Sequence, residues 1–96
     1  MSKNYTVDLS RRAEKALEKL DKKDSITAQT ITDWLDENIE DCSDPRAFGE
    51  PLKGKLKGFW KYRIGDYRII CDILDDRLIV LAIDIGHRKE IYRKTR

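Results

Sequence analysis

The segment with the clearest chemical potential is residues 59–68, FWKYRIGDYR, in which basic residues alternate with aromatic and aliphatic ones. A Gly-Asp pair between two such runs indicates a β-hairpin with a two-residue turn, here Gly65-Asp66. In that register Arg63 lies directly opposite Arg68, although like charges in such positions destabilise a sheet. Because arginine does not lose its proton in proteins, a bound anion is what would relieve the repulsion. Phosphate suits this role, since guanidinium groups bind it with two parallel hydrogen bonds.

Lys61 precedes Arg63 by two residues and therefore shares its face of the predicted hairpin, since side chains alternate along a strand. The opposite face is apolar and aromatic and carries Tyr62, Ile64, Tyr67, Ile69 and Cys71. The sequence therefore predicts a sheet with one face that packs against helices and another that concentrates positive charge.

Charge is segregated along the chain, although the formal net charge is only +2. Residues 51–71 carry six basic residues against one acidic residue, and residues 86–96 carry five against one, which gives net charges of +5 and +4. Residues 21–50 carry nine acidic residues against three basic ones, a net charge of −6. The basic blocks indicate a surface for a polyanion, whereas we interpret the acidic block as a face for solvent or a partner.

The elements that must position these residues follow from hydrophobic periodicity. Residues 5–9 alternate and predict a short strand, and apolar residues then recur at helical spacing over about residues 11–21. A second helix is predicted from a cap at Asp24 or Ser25 to near Asp41. Because the two helices are close in sequence, we expect them to form an antiparallel pair.

Residues 42–58 contain prolines and glycines between lysines, which predicts a loop without elements of its own. Three strands are then predicted at about residues 59–64, 67–74 and 77–85. The apolar run in the last strand does not alternate, so we expect burial on both of its faces, and we expect Gly86 to end it.

The predicted fold class is therefore α+β with the order βααβββ: an N-terminal strand and a helical hairpin packed on one face of a mainly antiparallel four-stranded sheet. The length of 96 residues indicates a single domain over residues 1–96.

Composition argues against several classes of protein. Cys42 and Cys71 with one histidine form neither a disulfide framework nor a metal-ligand set, so we expect a reduced, cytoplasmic protein without metal or cofactor. The N-terminal residues show no apolar segment of a signal peptide, and no apolar run approaches the roughly 20 residues of a membrane span, so no membrane partner is expected.

Three local motifs, in order, resemble the RelE/ParE superfamily of bacterial and archaeal toxins. Residues 49–54 (GEPLKG), followed by Gly58-Phe59-Trp60, are similar to the loop and strand entry of the YoeB branch. Residues 62–70 (YRIGDYRII) are typical of the superfamily, and residues 86–92 (GHRKEIY) are similar to the RelE branch. With the size and the element order, the resemblance covers nearly the whole chain.

The resemblance to the RelE branch implies a toxin of a type II toxin–antitoxin pair, an endoribonuclease that cuts mRNA in the ribosomal A site. It implies metal-independent attack of a ribose 2′-hydroxyl on the adjacent phosphate. It also implies a cognate antitoxin that wraps and blocks the toxin in a hetero-oligomer, while the toxin alone is expected to be a monomer.

The resemblance also assigns roles on the charged face. Arg68 matches a shared arginine and is expected to be an exposed charge that stabilises the transition state, with a structural salt bridge as the alternative. Lys61 and Arg63 match basic positions that bind phosphate, with solubilising surface charge as the alternative. The lysines of the preceding loop are expected to dock RNA; they are Lys53, Lys55 and Lys57.

The general base is open between a carboxylate and a lysine. RelE relies on lysines around the first strand of the hairpin, but one of those positions is Phe59 here. YoeB uses a glutamate at the position matching Glu50, which favours Glu50 as the base, with a plain surface carboxylate as the alternative. Lys61 is the other candidate for the base.

The C-terminal motif contributes three further candidates. Arg88 matches a catalytic arginine of the RelE branch, and Tyr92 matches a tyrosine that stacks on a base or positions the leaving group. Histidine is the residue type whose reference pKa lies near neutrality, so His87 is a candidate general acid, or else it merely follows the strand-ending glycine.

Two other functions remain open from the sequence. A ParE-like toxin would inhibit DNA gyrase without a nuclease site, and a degenerate chain would keep the fold as a binding module without activity. Glu50, Arg88 and Tyr92 favour the nuclease, whereas Phe59 keeps the inactive module open.

Overall fold

The computed structural model describes residues 4–94, with side chains through residue 92. The strands are β1 (Thr6–Leu9), β2 (Glu50–Pro51), β3 (Trp60–Ile64), β4 (Tyr67–Leu74) and β5 (Ile79–His87). The helices are α1 (Arg11–Lys23), α2 (Ser25–Asn38) and a short α3 (Ile91–Lys94). None of the helices in the described part of the chain is long and apolar enough to cross a membrane.

The strands form a mixed five-stranded sheet in the order β1-β5-β4-β3-β2. β1 pairs in parallel with β5, and the other pairs are antiparallel. The α+β class is confirmed, but the predicted number of four strands is wrong. Segment 42–58 is not a plain loop, because its residues Glu50 and Pro51 pair with Lys61 and Trp60 of β3 and form β2.

Two side-chain caps define the helical pair. The hydroxyl oxygen of Ser10 accepts a hydrogen bond from the Ala13 N–H at 3.1 Å and starts α1. Asp24 follows the end of α1, and its carboxylate caps α2 by accepting from the Thr27 N–H at 3.1 Å. α2 ends at Asn38, earlier than predicted, before the chain adopts a positive φ of 65° at Asp41.

The predicted hairpin register is confirmed: Arg63 lies opposite Arg68, and Ile64 lies opposite Tyr67. The apolar face of the hairpin packs into the core beneath α1 and α2, and we call it the helix face of the sheet. Core residues shared by the sheet and the two helices include Tyr62, Ile69, Cys71, Ala13, Leu20, Ile31 and Leu35.

β5 departs from the expectation in two ways. Val80 is fully buried on the helix face, but Leu81 on the other face is only half-buried. Gly86 lies inside β5 and does not end it. A Cβ at Gly86 would lie 3.0 Å from the Cδ1 atom of Ile91, so the absence of a side chain makes room for α3.

Candidate active site and nucleic-acid interface

The residues predicted to bind phosphate lie on the sheet face away from α1 and α2. Partners in register share a face, and the register pairs Glu50 with Lys61 and Arg63 with Arg68. Since Lys61 and Arg63 are two residues apart on β3, all four side chains project from the same side. We call this surface the basic face; these four residues define it.

Glu50 is held against β3 by the backbone that precedes it. The indole N–H of Trp60 donates to the Phe48 carbonyl at 2.7 Å. Gly49 has a φ of 76°, and a Cβ there would lie 2.2 Å from the Lys61 carbonyl oxygen. Only glycine, which has no side chain, permits so close an approach. The backbone at Gly49 therefore fixes the position of the next residue, Glu50.

The start of the same loop is anchored at the other side of the sheet. The buried Tyr62 hydroxyl donates to the Pro45 carbonyl at 2.6 Å. Arg46 donates to both carboxylate oxygens of Asp75, at 2.9 and 3.0 Å, and the Tyr5 hydroxyl donates to the same carboxylate. These contacts tie the segment that carries Glu50 to β3 and to the turn after β4, and through Asp75 to Tyr5, which precedes β1.

Glu50 and Lys61 form a direct ion pair, with 2.8 Å between Oε1 and Nζ. The hydrogen bond and charge of Lys61 lower the pKa of Glu50, and Arg63 and Lys53 lower it further. The hydrogen bond to Glu50 raises the pKa of Lys61. At neutral pH the pair is therefore a carboxylate beside an ammonium ion.

Tyr92 completes this cluster from the C-terminal segment. The ammonium nitrogen of Lys61 lies 5.7 Å from the centroid of the Tyr92 ring, and a hydrogen bond to Tyr92 also raises the pKa of Lys61. The fully buried Ile91 packs beside Gly86 and places Tyr92 over the basic face. Glu50, Lys61 and Tyr92 are thus brought together, as their assignment to one site requires.

Arg68 is not the exposed charge that the sequence suggested, because only 8% of its surface is accessible. Its Nη1 donates to the carbonyls of Gly65 and Tyr67, at 2.8 and 2.9 Å. Within the described residues no acidic side chain pairs with it, so a structural salt bridge is not its role here. Since an arginine carries five N–H donors, the hairpin turn orients Arg68 while donors remain for an anion.

Arg88 reaches the same hairpin turn from the end of β5. Its backbone N–H donates to the Asp66 carbonyl at 2.7 Å, and its Nε lies 3.6 Å from an Asp66 carboxylate oxygen. Arg88 and Arg68 therefore both contact the Gly65-Asp66 turn. Arg63 is exposed on the adjacent strand β3. The positive charges of three arginines surround the hairpin end of the basic face.

The structure does not bring His87 to this site. His87 is the register partner of Tyr67, and their rings pack edge to face with centroids 5.6 Å apart on the helix face. A role of His87 as the acid beside Glu50 therefore has no support in this geometry. The loop lysines flank the site on exposed segments around a 3₁₀ turn; they are Lys53, Lys55 and Lys57.

Sequence reasoning missed the contacts that hold the site together. Asp66 was interpreted only as a turn residue, although it anchors Arg88. The Trp60 to Phe48 hydrogen bond and the packing of Ile91 on Gly86 join residues that no periodicity connects. The one signal that was present is Gly49, because a glycine directly before a candidate carboxylate suggests a close backbone approach.

Chemically, the basic face offers an ionised carboxylate, an ammonium ion and guanidinium groups within one surface. Such a set can accept a proton from a hydroxyl and hold a phosphate at the same time. In the described part of the chain, no group of three His, Cys, Asp or Glu side chains could hold a metal ion.

A small α+β protein with a carboxylate–lysine pair and arginines on the open sheet face carries the groups that a phosphate-bearing ligand would require. Its family is shown by residues 7–92, which match the model of the family described as the ParE toxin of type II toxin–antitoxin system, parDE. The chain belongs to this family and is a toxin of the RelE/ParE superfamily, as the motifs predicted.

Known proteins similar to this chain include Toxin RelG of Mycobacterium tuberculosis, which is 35% identical over 51 residues. That match spans 53% of this chain and 59% of the length of RelG. Among solved structures, the toxin–antitoxin complex RelBE2 of M. tuberculosis contains a chain that is 28% identical with a TM-score of 0.73, covering 88% of this chain and 99% of its own.

Two solved structures of lower sequence identity support the fold alone. YafQ from E. coli strain BL21(DE3) is 16% identical with a TM-score of 0.63, covering 92% of this chain and 98% of its own. A mutant of E. coli toxin RelE in the free state is 21% identical with a TM-score of 0.64, covering 97% and 99%. The predicted RelE-like architecture is thereby confirmed.

Proposed function

We propose that this toxin is an endoribonuclease that cuts mRNA in the ribosomal A site and thereby inhibits translation. The observation that carries the proposal is the 2.8 Å contact between Glu50 and Lys61 on the basic face, beside Arg63 and Arg68. A surface built only to bind RNA has no need of an ionised carboxylate at its centre, because a carboxylate repels phosphate.

In the proposed reaction the Glu50 carboxylate takes the proton of the ribose 2′-hydroxyl. The 2′-oxygen attacks the adjacent phosphorus, the bond from phosphorus to the 5′-oxygen breaks, and the Lys61 ammonium gives a proton to the leaving oxygen. Because Glu50 and Lys61 are in contact, the proton then returns from the carboxyl group to the amine, which restores the pair. The products are a 2′,3′-cyclic phosphate and a free 5′-hydroxyl.

The guanidinium groups stabilise the charge that develops on the phosphate oxygens. Arg68 is held by two carbonyls of the hairpin turn and needs little reorganisation during the reaction. Arg63 and Arg88 add charge from either side, and Tyr92 positions the leaving nucleotide over Lys61.

A cognate antitoxin is the proposed protein partner, and the cytoplasm is the proposed compartment. The similar RelBE2 structure is by its title a toxin–antitoxin complex. The basic blocks of this chain favour an antitoxin segment that is acidic and covers the basic face.

Primer extension on an mRNA during translation in vitro, with and without the protein, tests the proposal. We expect cuts at positions that are in register with the codons of the reading frame. These cuts should disappear when ribosomes are omitted. An intact mRNA on translating ribosomes at saturating protein would contradict the proposal.

Inhibition of DNA gyrase is the second candidate, because the matching family is described by its ParE toxin. A supercoiling assay separates the two functions. If the protein inhibits supercoiling and variants at Glu50 inhibit equally well, the gyrase function replaces the nuclease.

A further inference from the structure

A second cationic surface lies on the helix face of the sheet, on the side opposite Glu50 and Lys61. It is a groove of about 400 Å³ between the C-terminal half of α1 and the end of β5. Lys19 and Lys23 line it from α1, and Lys89 lines it from the segment after β5. Glu90 is the acidic residue of its lining, so three lysines face one carboxylate.

Lys19 and Lys23 of α1 place two positive charges next to each other, as Arg63 and Arg68 do in the hairpin. Lys19 and Lys23 are four residues apart in a helix, so their side chains are neighbours, and like charges at this spacing destabilise the helix. Both side chains are exposed. A shared polyanion bound in the groove would relieve this repulsion.

The wall of the groove offers aromatic surface as well as a hydrogen-bond donor. Tyr67 and His87 both line it, and their rings meet at an angle of 79°. In such edge-to-face packing, one ring keeps both faces uncovered by its partner. Nδ1 of His87 accepts the Lys89 N–H at 3.2 Å, so the neutral ring carries its hydrogen on Nε2 and can donate it.

Cations combined with aromatic rings favour single-stranded nucleic acid over a purely acidic peptide, because every base has a face that can stack. The groove also adjoins the candidate active site. Arg88 contacts the hairpin turn beside the basic face, and the adjacent His87 and Lys89 line the groove. One RNA strand can therefore pass around the hairpin end of the sheet.

We propose that this groove is a second, non-catalytic RNA-binding site, in which Lys19 and Lys23 contact backbone phosphates and the Tyr67–His87 pair contacts a base. The proposal rests on the proposed function for the identity of RNA as the natural ligand. It assigns to His87 a binding role on the far side of the sheet from Glu50.

The test is the salt dependence of binding to a fluorescently labelled oligouridylate, measured by anisotropy over a series of NaCl concentrations. For single strands the slope of log K against log salt is about −0.7 per phosphate neutralised, so Lys19→Gln with Lys23→Gln should reduce its magnitude by about 1.4. The matched control is Lys15→Gln with Lys22→Gln, which makes the same charge change at exposed positions of α1 outside the groove. Equal slopes for the two double variants, or no binding of the oligouridylate by the wild type, would overturn the proposal.

Cleavage kinetics keep this result separate from the proposed nuclease function. The groove variant should raise KM for ribosome-bound mRNA and leave kcat unchanged, whereas Glu50→Gln should lower kcat and leave the salt slope unchanged. A Glu50→Gln protein with wild-type kcat would refute the active site while the salt slopes still decide the groove. A groove variant with unchanged slope and normal cleavage would refute the groove alone.

Discussion

At the scale of single residues, the direct contact between Glu50 and Lys61 bears on which of the two is the base. Each partner stabilises the charged form of the other, so the pKa of Glu50 falls and that of Lys61 rises. A base must be deprotonated before the reaction, and at neutral pH only Glu50 meets this condition. The sequence left the choice of base open, and our proposal assigns it to Glu50.

Glu50→Gln keeps the size of the side chain and removes its ability to accept a proton. We expect the cleavage rate on ribosome-bound mRNA to fall by roughly 10² to 10⁴, the usual contribution of general acid–base catalysis, with ribosome binding little changed. Single-turnover primer extension measures the rate, and co-sedimentation with ribosomes measures the binding.

The pH dependence of the wild-type rate provides the control for this assignment. Because its pKa is lowered, Glu50 stays ionised throughout the neutral range, so the rate should be flat from about pH 6 to 8 and fall only in acid. A lysine base with a raised pKa would instead make the rate climb steadily through that window. A climb that Lys61→Met abolishes and Glu50→Gln does not would assign the base to Lys61.

Arg68→Lys tests whether the planar guanidinium is needed, since lysine keeps the charge but not the fork of donors. We expect a rate loss on the order of 10² to 10³, the cost of removing one preorganised donor from a developing charge. Circular dichroism should show an intact fold. A lysine variant that cuts at the wild-type rate would show that Arg68 supplies charge alone.

At the scale of elements, the short strand β2 depends on one glycine. Gly49→Ala places a Cβ against the Lys61 carbonyl, so we expect it to displace Glu50 and to abolish most cleavage. Gly54→Ala is the matched control, because Gly54 also has a positive φ, of 66°, but open space around it. Both variants strain the backbone, and only the first should lose activity; equal activities would mean that the close approach at Gly49 is not needed.

In the hairpin formed by β3 and β4, the positive charges of Arg63 and Arg68 lie opposite each other and repel. Arg63→Gln without ligand should be as stable as the wild type or more stable, by a few tenths of a kcal/mol up to about 1. Sulfate should raise the Tm of the wild type more than that of the variant, because an anion that binds only the folded state stabilises it. Thermal melts with and without sulfate measure both effects, and equal shifts would show that the two arginines do not share an anion.

Elements with strong local signals could be predicted from the sequence, and elements held by distant contacts could not. The hairpin register followed from Gly65-Asp66 and from alternation alone. β2 has two residues and no pattern of its own, and it exists because Trp60 and Gly49 hold it on β3. The position of α3 likewise depends on Ile91 finding space over Gly86.

The candidate site shows the same division between local and distant signals. The placement of Lys61, Arg63 and Arg68 on one face followed from the period of a strand. Sequence spacing could not show that a register shift between Ile70 and Cys71 in the pairing with β5 places His87 on the helix face. It also could not show that the Gly65 and Tyr67 carbonyls accept hydrogen bonds from Arg68.

At the scale of the whole molecule, the segregated charges fall on different surfaces. Three of the six basic residues of segment 51–71, Lys61, Arg63 and Arg68, lie on the sheet face away from α1 and α2, whereas most of the acidic residues of segment 21–50 lie exposed on α2 and after it. Such an arrangement favours contact of a polyanion with the basic face over contact with the acidic residues of α2. The acidic segment expected in the antitoxin stays a prediction.

The most direct test of the central claim uses an mRNA in which a single 2′-deoxynucleotide replaces the ribonucleotide at the cleaved position. The claim is that the basic face cuts RNA through attack by the ribose 2′-hydroxyl. On ribosomes programmed with the two mRNAs, we expect single-turnover primer extension to show cleavage of the all-ribose message and none of the deoxy-substituted one, with equal binding of the protein to both complexes. Cleavage of both messages, or of neither, would contradict the account.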